Sequence, residues 1–111
     1  MDTTTLSALA EPNRLQIVEL LRDGPLTVGE ITDRLKIRQP QASKHLRILS
    51  VAGIVEAHAD ANRRIYRLRP EPFMNLDAWI ASYLQIWEDR FDRLDDYVKV
   101  MQKQMEDKGE K

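Results

Sequence analysis

Gln39-Pro40-Gln41-Ala42-Ser43-Lys44-His45-Leu46-Arg47-Ile48-Leu49-Ser50-Val51-Ala52-Gly53 is the stretch on which the fold turns. Proline suits the first turn of a helix and glycine the left-handed position just past its end, so a helix is predicted from Gln39 to about Ala52. Ala42, Leu46 and Leu49 recur at helical spacing and form its inward stripe. The outward positions are Gln41, Ser43, Lys44 and Arg47, with Arg38 and Gln39 at the N-terminal tip. Glutamine can pair two-pronged with adenine, and Arg or Lys can reach guanine O6 and N7 in a major groove. A serine hydroxyl and the free N–H groups of a helix start suit phosphates or base edges.

Upstream, Thr3 to Ala10 reads as a short helix with Leu6 and Leu9 apolar. Pro12 opens a second helix through Leu15, Ile17, Val18, Leu20 and Leu21, which stops near Asp23-Gly24-Pro25. Thr27 with Glu30 three residues later is a capping-box pattern that starts a third helix through Ile31 and Leu35. The link Lys36-Ile37-Arg38 is short enough to make the third and fourth helices a helix-turn-helix pair.

Downstream the period changes from helix to strand. Ile54-Val55 opens one run, and Ile65-Tyr66-Arg67-Leu68 forms another, with Tyr66 and Leu68 on one face. Asp60-Ala61-Asn62-Arg63 between them is the hairpin loop, tipped by Asn62, and Arg63 and Arg64 sit where a wing would touch DNA. From Phe73 to Lys108 no glycine or proline intervenes, which predicts one long helix. Its apolar stripe includes Leu76, Ile80, Tyr83, Trp87, Phe91, Leu94 and Val98, in steps of three or four. A helix of that length spans roughly 50 Å, against a radius of gyration of ~13 Å for a domain of this size. A second copy of the chain is therefore the expected cover, with Leu6 joining the same interface.

The resulting fold class is mainly α with a small β-hairpin: a winged helix-turn-helix with a long C-terminal dimerisation helix. Residues 1–70 form the DNA-binding part, 71–108 the dimerisation helix of the same domain, and 109–111 a frayed tail.

Charge and composition agree with this layout. The chain has 111 residues and a net charge of −1, but the charge is unevenly placed. Nine cations face two anions between Arg34 and Arg69, whereas ten anions face six cations from Glu71 onward. One surface built for a polyanion explains that asymmetry. With no cysteine, disulfides, zinc ribbons and thiolate chemistry are excluded. No apolar run is long enough to span a membrane and the N-terminus does not resemble a signal peptide, so a cytoplasmic protein is expected. No nucleophile elbow, phosphate-cradling loop or His-Glu-x-x-His pattern is present, so neither catalysis nor a cofactor is expected.

The residues also carry a family resemblance. Leu9 to Val18, Leu26 to Ile31, Gln41 to Leu49 and Ala52-Gly53-Ile54-Val55 resemble the ArsR family of winged helix-turn-helix repressors, over residues 6 to about 98. The resemblance implies a homodimer on a pseudo-palindromic DNA operator, with Ser43 and His45 at the DNA face. Metal-sensing members place a cysteine pair at the start of the third helix, or His and acidic ligands on the last. Here neither is found, so no metal site is expected and the chain is more similar to the metal-independent branch. Asp89, Asp92, Asp95 and Asp96 read as a solvated acidic face rather than a cation site. No residue names an effector. The alternative reading is a winged-helix module that binds protein through its long helix and never touches DNA; the basic segment argues against it.

Overall fold

The computed structural model describes residues 3–109. The elements run α1 (Thr3–Leu9), α2 (Pro12–Leu21), β1 (Leu26–Thr27), α3 (Val28–Leu35), α4 (Gln39–Val51), β2 (Val55–Asp60), β3 (Arg63–Leu68) and α5 (Pro70–Gly109). The chain divides into two compact units, one through Asn75 and one from Leu76 onward.

In the first unit the helix boundaries follow local chemistry. Glu11 caps α2 by accepting the Arg14 backbone N–H at 2.8 Å. At α3 the capping box is complete: the Thr27 hydroxyl accepts the Glu30 backbone N–H at 3.2 Å, and Glu30 Oε1 accepts the Thr27 backbone N–H at 3.1 Å. Gly53, at φ 77°, turns the chain out of α4 so that the Ile54 N–H reaches the Leu49 carbonyl at 3.0 Å. The core is built from Ile17, Val18 and Leu21 of α2, Ile31 of α3 and Leu46 and Leu49 of α4, joined by Ile54, Val55 and Tyr66. Ala42 is also fully buried, so the whole expected stripe of α4 faces inward.

Three details differ from the sequence reading. α1 turns Thr5 and Ala8 into the interior and leaves Leu6 and Leu9 half-buried, because the short helix is oriented by its contact with α2. The sheet has three strands rather than two, in the order β1-β3-β2. The added strand is two residues long, with Leu26 opposite Tyr66 and Thr27 opposite Ile65. Finally, β2 and β3 pair antiparallel down to Asp60 opposite Arg63, so the hairpin turn is only Ala61-Asn62. Ala61 takes the left-handed backbone at φ 54°, where Asn62 was the expected tip.

In the second unit α5 continues without interruption to Gly109; residues 110 and 111 of the expected tail lie outside the described residues. At 40 residues the helix is about 60 Å long. Ile80, Tyr83, Trp87, Phe91, Leu94 and Val98 are all exposed on the single chain, Phe91 to 63%. Leu76 is half-buried. Trp79 meets Tyr83 edge-on at 5.3 Å, Trp87 lies beside Phe91 at 6.2 Å, and the Arg90 guanidinium stands 5.4 Å over the Trp87 ring.

Candidate nucleic-acid interface

Gln39, Ser43, Arg47 and Ser50 recur at helical spacing along one edge of α4, and that edge faces the β2–β3 hairpin. Between helix and hairpin lies an open groove of about 1220 Å³, whose other wall includes His58, Asn62, Arg63, Arg64 and Arg69. Thr27, Val28 and Gly29 close one end, which is where β1 ties the start of α3 to β3. The structure thus gathers Gln39, Ser43, Arg47, Arg63 and Arg64 from two elements into one concavity. Lys44 is exposed on the outer surface of α4, and Arg38 is exposed just before its first turn.

The cations of this region fall into two groups. Arg67 donates to Glu56 Oε1 at 2.6 Å, Arg69 lies 3.9 Å from Glu56 and 3.7 Å from Glu71, and Arg63 lies 3.8 Å from Asp60. Among the described residues Arg34, Lys36, Arg38, Lys44, Arg47 and Arg64 have no ion-pair partner. Positive charge with no carboxylate at ion-pair distance is what a phosphate backbone neutralises by counterion release. The Arg67 guanidinium holds the Glu56 carboxyl below the ordinary glutamate value, so this anion stays charged and keeps Arg67 tied to the hairpin.

Two residues assigned to the DNA face from sequence stand differently. Gln41 is exposed, and its Oε1 accepts the Arg38 backbone N–H at 3.3 Å, which holds the side chain back against the helix start with its NH₂ group free for a base. His45 is turned off the exposed face: its side chain is only 15% exposed and Nδ1 lies 3.7 Å from Glu11 Oε2 of α2. It sits one turn from Gln41 on the edge opposite Ser43, beside the Glu11 cap of α2. Sequence reading missed Ser50, Asn62 and Arg69 as groove residues. The spacing of Ser50 from Ser43 and Arg47 would have signalled it; Arg69 enters only because β3 brings the chain back to the end of α4, where the Arg69 backbone N–H reaches the Ile54 carbonyl at 2.8 Å.

Among the described residues no group of three or more His, Cys, Asp or Glu is arranged to hold a metal ion. On α5 Asp89 accepts from Gln85 at 3.2 Å and Asp95 pairs with Lys99 at 3.2 Å. Likewise no described helix is long and apolar enough to cross a membrane.

A helix-turn-helix with a hairpin wing, opening a cationic groove between recognition helix and wing, defines the winged helix-turn-helix class. Residues 11–57 match the family model "Bacterial regulatory protein, arsR family". A crystal structure of an ArsR family transcriptional regulator superposes with a TM-score of 0.69 at 30% identity, covering 78% of this chain and 89% of that one. The chain belongs to the ArsR family. A second neighbour is the solution structure of the homodimeric winged helix-turn-helix DNA-binding domain of a possible ArsR-family regulator from Mycobacterium bovis. It aligns at TM-score 0.62 and 31% identity, over 75% of this chain and 77% of that one. Among curated proteins, the biofilm growth-associated repressor of Agrobacterium fabrum is 43% identical over 63 residues, 57% of this chain and 54% of that protein. The chain thus spans little more than half the length of that relative.

Proposed function

We propose that the chain is a dimeric repressor that occupies a pseudo-palindromic operator in double-stranded DNA, in the cytoplasm. The observation that carries this reading is the groove between α4 and the wing, lined by Arg47 and Arg64, which have no carboxylate partner. In this reading α4 lies in the major groove, with Gln39, Ser43 and Arg47 along its reading edge and Lys44 and Arg38 on flanking phosphates. Gln41 contributes through its free NH₂, and Arg63 and Arg64 on the wing hold the backbone. The stripe of α5, from half-buried Leu76 through the exposed Ile80 to Val98 and helped by Leu6, forms the seam between two copies. The homodimeric DNA-binding domain from Mycobacterium bovis supports a DNA-binding dimer, and the Agrobacterium repressor supports repression.

Two recognition helices must then lie about 34 Å apart, one turn of B-DNA. Selection of bound fragments from the parent genome, followed by binding titration of the recovered duplex against salt, tests the reading. The expected result is a two-fold symmetric site and a log–log slope of about −0.9 per neutralised phosphate. Failure to shift promoter or random DNA at low salt would reject it in favour of a protein-binding module.

A further inference from the structure

His45 lies on the recognition helix yet faces away from the groove. Its Nδ1 is buried without a hydrogen-bond partner, 3.7 Å from Glu11 Oε2 and just too far to donate to it. Glu11 is already the hub of a polar chain. It accepts the Arg14 backbone N–H at 2.8 Å and the Asn13 side-chain amide at 3.2 Å. Arg14 in turn donates through Nε to the Ala8 carbonyl at 2.6 Å and through Nη2 to the Ser7 carbonyl at 3.4 Å. The chain therefore runs from α4, through the cap of α2, to the C-terminal end of α1. Only the link from His45 to Glu11 is open.

We infer that His45 is a positioning residue: protonation closes its contact with Glu11, fixes α4 against α2 and α1, and tightens operator binding as pH falls. An imidazole changes charge in the physiological range, which makes it the group suited to such a link. The inference rests on the DNA-binding reading above. The surroundings leave Glu11 as its one partner. α2 and its cap present Glu11, Arg14, whose guanidinium is spent on α1 carbonyls, and Glu19, which pairs with Arg22 at 3.1 Å. Residues Thr3–Leu9 of α1 carry no titratable side chain. α3 carries Glu30, bound to Thr27, together with Asp33 and Arg34, neither of which pairs with His45. On β2, Glu56 is engaged by Arg67 and His58, and Asp60 by Arg63. Lys44 and Arg47, its neighbours on α4, are exposed and unpaired. The Arg14 backbone N–H, followed by the charge of His45, holds Glu11 below the ordinary glutamate value, so the carboxylate partner is ionised throughout the neutral range.

The chain has two histidines, and His58 lines the groove, so it must be removed first. In a His58→Gln background, affinity for the genomically selected duplex is measured from pH 8 to pH 6, alongside a His45→Gln/His58→Gln variant. Uptake of a proton on binding is expected to raise affinity as pH falls in the first protein, by at most about tenfold per pH unit, and by no more than about twofold overall in the second. Glu11→Gln, which keeps an oxygen at the helix cap, is expected to abolish the rise in the same way. A rise surviving in Glu11→Gln would mean that the phosphate field alone drives it, and would overturn the inference. NMR titration of the His45 ring in the DNA-free protein separates this from failure of DNA binding itself. There Glu11→Gln is expected to shift the midpoint downward, and an unmoved midpoint would also overturn it.

Discussion

Arg47 and Arg64 face the same groove from opposite walls, but their expected contacts differ in kind. Arg47 is on the reading edge of α4, so Arg47→Ala is expected to cost about 1–3 kcal/mol and to relax selectivity at one base position. Competition titrations against single-base operator variants would register it; unchanged affinity would remove Arg47 from the interface. Changing Arg63 and Arg64 together to Ala is expected to weaken binding to all sequences alike, since the proposed reading sets the wing cations on the backbone. Arg64 is expected to account for more of that loss, because Arg63 already leans on Asp60. Acid stability belongs to the same scale. The Thr27 backbone N–H, together with the Thr27 hydroxyl, holds Glu30 below its ordinary value of 4.5. A carboxyl depressed in the folded state stabilises fully above its unfolded value, and that contribution is lost as pH falls through the folded one. Urea midpoints are therefore expected to fall below about pH 4.5 and less steeply in Glu30→Gln, with a parallel decline in the two proteins counting against the cap.

Single elements were legible wherever their signals lie within a few residues. The Thr27–Glu30 box, three residues wide, appears in the structure as two reciprocal backbone hydrogen bonds. Thr27→Ala is expected to destabilise the fold by about 0.5–2 kcal/mol in a denaturant titration, through fraying of the first turn of α3. The Ala42, Leu46 and Leu49 stripe was equally plain, because burial follows the 3.6-residue period. β1 was not legible: two residues have no period, and Leu26-Thr27 is a strand only because β3 lies alongside. The hairpin turn was misread for a related reason. Pairing of β2 with β3 extends to the last possible residue, and Ala61 takes the left-handed conformation to close it.

At the scale of the whole molecule, the exposed stripe of α5 is too apolar to stand in water uncovered. Sedimentation is expected to give twice the 12.9 kDa chain mass. Trp87→Glu places a charge in the middle of the stripe and is expected to return the mass of one chain, with loss of tight operator binding but intact helical content. A dimer that survives this change would move the seam elsewhere. In the proposed dimer half-site spacing depends on that seam, so affinity and oligomeric state are expected to fall together.

Helix starts, the inward stripe of α4 and the concentration of cations between Arg34 and Arg69 could all be read from the chain, since each arises from neighbours along the backbone. The tertiary structure alone decided which arginines are neutralised, which edge of α4 meets the wing and where His45 turns. Those outcomes depend on partners far apart in sequence, Glu56 with Arg67 and Glu11 with His45, and such pairs exist only once packing has brought the elements together.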